Sequence, residues 1–115
     1  MTEKEVLKSV SNSLKNLILT NDILWFSRLN AGKINSGHSW IQLCEIGTPD
    51  IVSIVNCEDG TISALFIECK RTGVKKLRFE QQRFFEMMEG KPKTMCVIIN
   101  DPKQLWSAIK KAKAL

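Results

Sequence analysis

Residues 47–71 read GTPDIVSIVNCEDGTISALFIECKR, and this stretch decides the fold. Two runs rich in valine, isoleucine and other apolar residues, 50–56 and 62–70, flank Glu58-Asp59-Gly60, whose composition is typical of a tight turn. The pattern therefore predicts a β-hairpin. Its second strand is apolar on both faces until its charged end, which is typical of a strand at the centre of a sheet.

Charged side chains meet at the open end of this hairpin. Counted from a turn near Gly60, Asp50 and Glu68 come level on adjacent strands, and Glu68 and Lys70 project from the same face because strand side chains alternate. Two carboxylates and an ammonium suit metal-dependent phosphodiester hydrolysis, since Mg²⁺ prefers oxygen ligands and polarises phosphate. The alternative is a solvated Glu68–Lys70 ion pair with Asp50 as a turn residue, and an E-x-K match alone favours that alternative.

The chain before this hairpin predicts one helix and two short elements. Apolar residues recur at spacings of three and four over 2–19, and Thr2 suits the N-cap of this helix. The short apolar run 23–26 fits either a strand or a helix end. Glycine, asparagine and serine predict a loop over 30–39, in which His38 is expected to be a polar loop residue. A strand is predicted over 40–45.

The chain after the hairpin alternates between helix and strand. A basic loop at 71–76 leads to a predicted helix over 79–89, a strand over 94–99 and a helix over 102–113. The predicted class is α/β (α+β), with a mixed central sheet flanked by helices in the order α-β-β-β-α-β-α. With 115 residues, the chain fits a single domain, 1–115.

Composition excludes several classes of protein. Hydrophobic residues make up 43% and charged residues 25%, which argues against a disordered tail, a collagen-like repeat or a membrane protein. No apolar segment follows the N-terminal charges as in a secretory signal, so we expect an intracellular protein in a bacterial or phage-infected cell. The four cysteines form no C-x-x-C pair, which predicts free thiols rather than a zinc site.

Three motifs occur in order: Gly47-Thr48-Pro49-Asp50, Ile67-Glu68-Cys69-Lys70-Arg71 and Leu77-Arg78-Phe79-Glu80-Gln81. In this combination the sequence resembles the virus-type replication-repair nuclease (VRR-NUC) family of the PD-(D/E)xK nucleases. That family's pattern is a G-x-P-D, an E-x-K one hairpin later, and a glutamine at the start of the next helix. The resemblance covers nearly the whole chain, is to small stand-alone phage-type members, and implies a restriction-endonuclease-like fold.

The resemblance also implies a site for Mg²⁺ or Mn²⁺ and no small-molecule cofactor. Asp50 and Glu68 are the implied metal ligands, together with the backbone carbonyl of Cys69. Lys70 is implied to assist the attacking water. If these expectations are correct, the structure must bring the four residues close together.

Two further residues are implied to complete the site. Gln81 is the helix-borne glutamine and is favoured over its neighbour Gln82 by the register of the motif. The alternative is that Gln81 is an ordinary exposed helix residue. Many members of the superfamily add an acid from the first helix, for which Glu3 is favoured over Glu5 because Glu3 shares a face with the apolar stripe. Favourable interaction with the helix dipole explains Glu3 equally well.

Basic residues point to a polyanionic partner. Lysine and arginine total 17 against 12 acids, for a net charge of +5. The segment after the proposed site is the richest, and we expect it to bind the phosphate backbone of DNA rather than base edges. The predicted DNA-binding residues are Arg71, Lys75, Lys76 and Arg78. Asn30, in an aromatic-then-N-x-G segment like that of phage members, is a further candidate, although a turn residue is the simpler explanation.

Apolar side chains on the helix over 79–89 cover more than one face: Phe84, Phe85, Met87 and Met88. They either complete the core or lie between two subunits. The resemblance implies a homodimer that cuts branched DNA, such as a Holliday junction, whose symmetry a two-fold dimer matches. The predicted function is thus a metal-dependent, structure-selective DNA endonuclease. The alternative is a non-catalytic DNA-binding module that keeps the nuclease fold.

Overall fold

The computed structural model describes residues 1–29, 33–35, 40–42 and 45–115, with side chains described outside 30–44. Three helices and six strands follow one another along these residues. In chain order they are α1 (Glu3–Leu19), β1 (Ile23–Arg28), β2 (Lys33–Asn35), β3 (Trp40–Gln42), β4 (Ile51–Asn56), β5 (Ile62–Cys69), α2 (Phe79–Met88), β6 (Thr94–Ile99) and α3 (Gln104–Lys113).

The main sheet has four strands in the order β1-β4-β5-β6. The predicted hairpin is β4 and β5, which run antiparallel; β1 is antiparallel to β4, and β6 is parallel to β5. A parallel pair needs a crossover, and α2 supplies it between β5 and β6. With the helices added, the order α1-β1-β4-β5-α2-β6-α3 is the predicted α-β-β-β-α-β-α, and the α+β class with a mixed sheet is confirmed.

The first strand of this sheet differs from the one predicted. Residues 40–45 were expected to supply it; instead Trp40–Gln42 pairs with Lys33–Asn35, inside the predicted loop, as a separate two-stranded sheet. The run that fitted either a strand or a helix end is β1. Its pairing spans β4 from Val55 to Ile51, so it satisfies a whole strand edge that a three-residue strand does not cover.

Helices pack on both faces of the sheet. On one face, α1 and α3 enclose a core in which alternate residues of β4 and β5 are fully buried. On the other face, the ring of Phe84 from α2 meets Phe66 of β5 edge to face, with centroids 5.1 Å apart. The central strand β5 is thus covered on both faces, as its apolar sequence predicts.

Cysteines in the described part of the chain are free, as predicted: Cys57, Cys69 and Cys96. The first two are buried. Cys44 lies outside the described residues. Among the described residues, no helix has the length and apolar character needed to cross a bilayer.

Candidate metal centre

The hairpin register brings two carboxylates level. Ile51 of β4 pairs with Ile67 of β5, and continuing this register by one residue sets Asp50 opposite Glu68. The turn that fixes the register lies at residues 57–60, where the backbone N–H of Gly60 donates to the carbonyl of Cys57 at 3.2 Å. The alignment expected from the sequence is therefore the one found.

Backbone contacts on both sides hold Asp50 in place. The amide N–H of Cys69 donates to Asp50 Oδ2 at 2.7 Å. The amide N–H of Leu29, at the end of β1, donates to the Asp50 carbonyl oxygen, also at 2.7 Å. One carboxylate oxygen of Asp50 is thus committed to the hairpin, and the three strands β1, β4 and β5 together fix its position.

Glu68 is almost fully buried, with 2% of its surface exposed. Its Oε1 accepts a hydrogen bond from Gln81 Nε2 at 2.8 Å and lies 3.9 Å from Lys70 Nζ. Its Oε2 is buried and has no hydrogen-bond partner among the described residues. A buried carboxylate oxygen without a partner is costly. Oε2 is therefore satisfied either by a cation or by a proton that Glu68 shares with Asp50.

The side chain of Gln81 connects the acid to the lysine. Its carbonyl oxygen accepts from Lys70 Nζ and from the backbone N–H of Arg78, each at 2.9 Å. Gln81 is 4% exposed, whereas Gln82 is exposed and hydrogen-bonds to Glu86 on its own helix. The structure brings Gln81, rather than Gln82, to the predicted site.

A third carboxylate comes from the first turn of α1. Oxygen atoms of Glu3, Asp50 and Glu68 all lie within 4.8 Å of one another. Glu5 is occupied elsewhere, since its Oε1 accepts from the backbone N–H of Thr2 while its own N–H donates to the Thr2 hydroxyl, a capping box. Glu5 therefore caps the N-terminus of α1, whereas Glu3 lies beside Asp50 and Glu68.

Burial raises the pKa of Glu68 to about 8, and the negative charge of Asp50 is the next cause. Burial also raises the pKa of Asp50, although the Cys69 hydrogen bond and the charges of Lys70 and Arg28 oppose the rise. Glu68 therefore retains a proton at neutral pH more readily than an ordinary glutamate. A cation placed between the carboxylates would displace that proton.

Gly47 sets the distance between the Gly47-Thr48-Pro49-Asp50 segment and α2. Its φ of +95° favours glycine, and a Cβ at this position would lie 2.5 Å from the Glu80 carbonyl oxygen. The next residue along α2 is Gln81. The sequence analysis used Gly47 only as part of a motif, and nothing in the local sequence indicates this close approach to a helix that begins 32 residues later.

The carboxylates face a cavity of about 670 Å³. The structure adds four lining residues that sequence reasoning missed: Leu7, Arg28, Leu29 and Ile46. Arg28 ends β1 next to Asp50, and only the choice of β1 as a sheet strand could have revealed it. The cavity is open enough, and polar enough, to admit a phosphate group.

One of the predicted DNA-binding residues reaches this cavity. Arg78 lines it, and Arg71, Lys75 and Lys76 are exposed on the preceding segment. This segment is anchored to the end of β6, because the side-chain amide of Asn100, the residue after β6, donates to the carbonyl of Val74 at 3.0 Å. Asn30 and His38 lie outside the described residues.

The donor set fits a hard divalent cation. Three carboxylates converge, one of their oxygens is buried without a partner, and oxygen is the ligand that Mg²⁺ and Mn²⁺ prefer. Of Cys69, it is the amide N–H that contacts the cluster; ligation by its carbonyl stays a prediction. Burial and the neighbouring carboxylates raise the pKa of the Cys69 thiol to about 12.

Comparisons with protein-family models, with curated proteins and with solved structures found no match for this chain.

Proposed function

We propose that this protein is a divalent-metal-dependent DNA endonuclease. One observation carries the proposal: the buried, unpartnered Oε2 of Glu68 beside the carboxylates of Asp50 and Glu3. An acidic cluster on a protein surface is common, but an acid buried against two others must be neutralised by a proton or by a cation, and three converging carboxylates suit a cation. A module that only binds DNA gains nothing from three carboxylates facing phosphate.

Mg²⁺ or Mn²⁺ bound there would polarise the scissile phosphate and lower the pKa of water. Glu3, Asp50 and Glu68 would hold the ion. Lys70 Nζ, fixed by Gln81, presents a positive charge beside the carboxylates, where it can orient the attacking water and offset negative charge that develops on the phosphate. The side-chain carbonyl oxygen of Gln81 accepts a hydrogen bond from Lys70, so the ammonium group does not form a closer ion pair with Glu68.

We further propose that the protein acts as a homodimer and cuts branched DNA. This part of the proposal derives mainly from the VRR-NUC resemblance. One observation supports a second copy: large apolar side chains are exposed around α2, namely Ile46 at 60%, Phe79 at 72% and Met87 at 58%. Of the four residues predicted to form either core or interface, Phe84 packs on the sheet and Met87 faces outward. Two copies related by a two-fold axis would face two opposed strands of a four-way junction.

The test is cleavage of a labelled four-way junction beside a linear duplex and a flap, with Mg²⁺, Mn²⁺ or a chelator. Symmetrical nicking of the junction that needs metal would support the full proposal. If the protein cuts only flaps or linear duplex, it is a nuclease but not a junction resolvase. Binding of DNA without cutting, with either metal, would favour the non-catalytic module.

Asp50→Asn is the decisive variant, because it keeps the shape of the side chain and removes its charge. Asp59→Asn is the matched control, since Asp59 is exposed at the far end of the same hairpin. Cleavage should vanish in the first variant and persist in the second. Equal activity in both would attribute the cleavage to a contaminating nuclease or to a different site.

A further inference from the structure

A second groove adjoins the metal-site cavity. It has a volume of about 400 Å³ and runs between α1 and the edge strand β1. Leu7 and Arg28 line both spaces, so the groove and the cavity that holds the carboxylates adjoin at these two side chains. A polymer bound at the carboxylates could therefore continue into this groove.

The groove is strongly basic. Lys4, Lys8 and Lys15 of α1 and Arg28 of β1 line it, and no acidic residue does so in the described part of the chain. All four are exposed, and none of them belongs to an ion pair found among the described residues. Four cations gathered without compensating acids repel one another, which favours binding of an anion.

The floor of the groove contains an unsatisfied polar group. Ser11 is 9% exposed, and its hydroxyl has no hydrogen-bond partner among the described residues. It lies three residues after Lys8 and four before Lys15, on the same face of α1. The hydroxyl oxygen itself is closed to solvent, so any affinity of the groove for an anion comes from its four cations rather than from this group.

The spacing of these groups suits a nucleic-acid backbone. An α-helix rises 1.5 Å per residue, so Lys4 and Lys15 are about 16 Å apart along the helix axis. One strand of a duplex carries a phosphate about every 3.4 Å of axis, so this length covers about five phosphates. The half-buried Phe26 and Leu7 give the groove an apolar wall against which sugars can pack.

We propose that the α1–β1 groove binds the sugar-phosphate backbone of the DNA strand for several nucleotides beyond the phosphate at the carboxylates. This inference rests on the proposed function for the identity of the ligand. It adds a track that is separate from the basic segment at residues 71–78. The strand is held by the charges of Lys4, Lys8, Lys15 and Arg28, without contacts that distinguish bases.

The experiment compares Lys8→Gln/Lys15→Gln with Lys110→Gln/Lys111→Gln, a pair of exposed α3 lysines that line neither space. Binding of a labelled junction without metal is measured from 50 to 300 mM salt, and cleavage is measured with Mg²⁺. Loss of two phosphate contacts should weaken binding about 10- to 100-fold at 0.1 M salt and reduce the salt slope by about 2, whereas the control should match wild type. Both substitutions are on the surface, so folding should be unaffected.

A third variant locates the contact. A photocrosslinking amino acid at position 8 should attach to nucleotides about two to five positions to one side of the cut, or of the junction crossover if no cut is made. If wild type cleaves the junction and the Lys8/Lys15 variant binds DNA as tightly as wild type, the groove proposal is wrong and the nuclease proposal stands. If the Lys8/Lys15 variant binds DNA more weakly but wild type does not cleave it, the groove proposal is supported and the nuclease proposal is wrong. If wild type bound no DNA, the groove proposal would be wrong.

Discussion

Lys70 Nζ lies 3.9 Å from Glu68 Oε1, yet it donates its hydrogen bond to Gln81 Oε1 at 2.9 Å. The acid and the lysine of the E-x-K motif are thus held apart by a glutamine from another element. A direct, tight ion pair would neutralise both groups. The glutamine leaves one oxygen of Glu68 available and keeps the ammonium beside it.

Gln81→Met should therefore impair cleavage by about 100-fold or more, because both Glu68 and Lys70 lose their orienting partner. The substitution keeps the side-chain volume but leaves two buried polar groups unsatisfied, which costs about 1–3 kcal/mol of stability. Junction cleavage and urea unfolding measure the two effects. Gln82→Ala is the neighbouring control, and equal loss of activity in both variants would contradict the role given to Gln81.

The stability of the metal-free protein should fall as the pH rises from about 5 to 8. The pKa of Glu68 is raised in the folded state from 4.5 to about 8, so the folded state binds more protons than the unfolded state across this interval, and stability declines with pH. The raised pKa of Asp50 acts in the same direction. Thermal unfolding measured at several pH values, with a chelator present, tests this sign.

Glu68→Gln should flatten that decline, since an amide has no proton to lose. Glu58→Gln, a substitution of an exposed glutamate in the hairpin turn, should retain it. Saturating Mg²⁺ should also raise the stability of wild type at pH 8 and fail to do so in Glu68→Gln. A wild-type stability that rises between pH 5 and 8 would mean that Glu68 is not the buried acid inferred here.

Gly47→Ala should destabilise the protein more than Gly60→Ala. Both glycines have positive φ, of +95° and +84°, so alanine costs about 1–2 kcal/mol at either position. At Gly60 an added Cβ meets open space, but at Gly47 it meets the Glu80 backbone, and relieving such overpacking costs about 1–3 kcal/mol more. Unfolding free energies of the two variants would measure the difference, and equal values would contradict the close approach.

Met87→Glu should weaken the proposed homodimer. Met87 is 58% exposed on α2, so the monomer fold should tolerate a charge there, whereas an apolar interface would not. Sedimentation over a range of concentrations measures the dissociation constant. Leu19→Glu, which changes an apolar side chain that is 85% exposed at the end of α1, is a control. If the wild-type protein is monomeric at high concentration, the homodimer proposal is wrong.

Much of the site could be predicted from the sequence because a hairpin has simple geometry. The turn at Glu58-Asp59-Gly60 fixes the register, and the alternation of strand side chains then pairs Asp50 with Glu68. The position of Glu3 is less direct. It follows from the apolar stripe of α1, which decides the face that the helix turns to the sheet, and from the capping box that occupies Glu5.

The features that could not be predicted depend on contacts between distant segments. The contact of Gly47 with α2 requires knowledge of where the helix crosses the sheet. The choice of 23–28 over 40–45 as the first sheet strand depended on which run spans the edge of β4, since both are short and apolar. The α1–β1 groove was missed for the same reason: its lysines read as an ordinary solvated helix face until β1 is placed beside them.

Lys75→Gln/Lys76→Gln should weaken DNA binding and reduce its salt slope by about 2, with little change in stability. Both side chains are exposed beside Arg78, which lines the metal-site cavity, and each phosphate contact releases about one counterion. The anchor between Val74 and Asn100 holds this segment, so Asn100→Ala should also weaken binding while leaving the number of charges and the salt slope nearly unchanged. Titrations at several salt concentrations separate the two effects: lost charge changes the slope, and lost positioning changes only the affinity. An unchanged slope in the lysine variant would mean that DNA does not contact this segment.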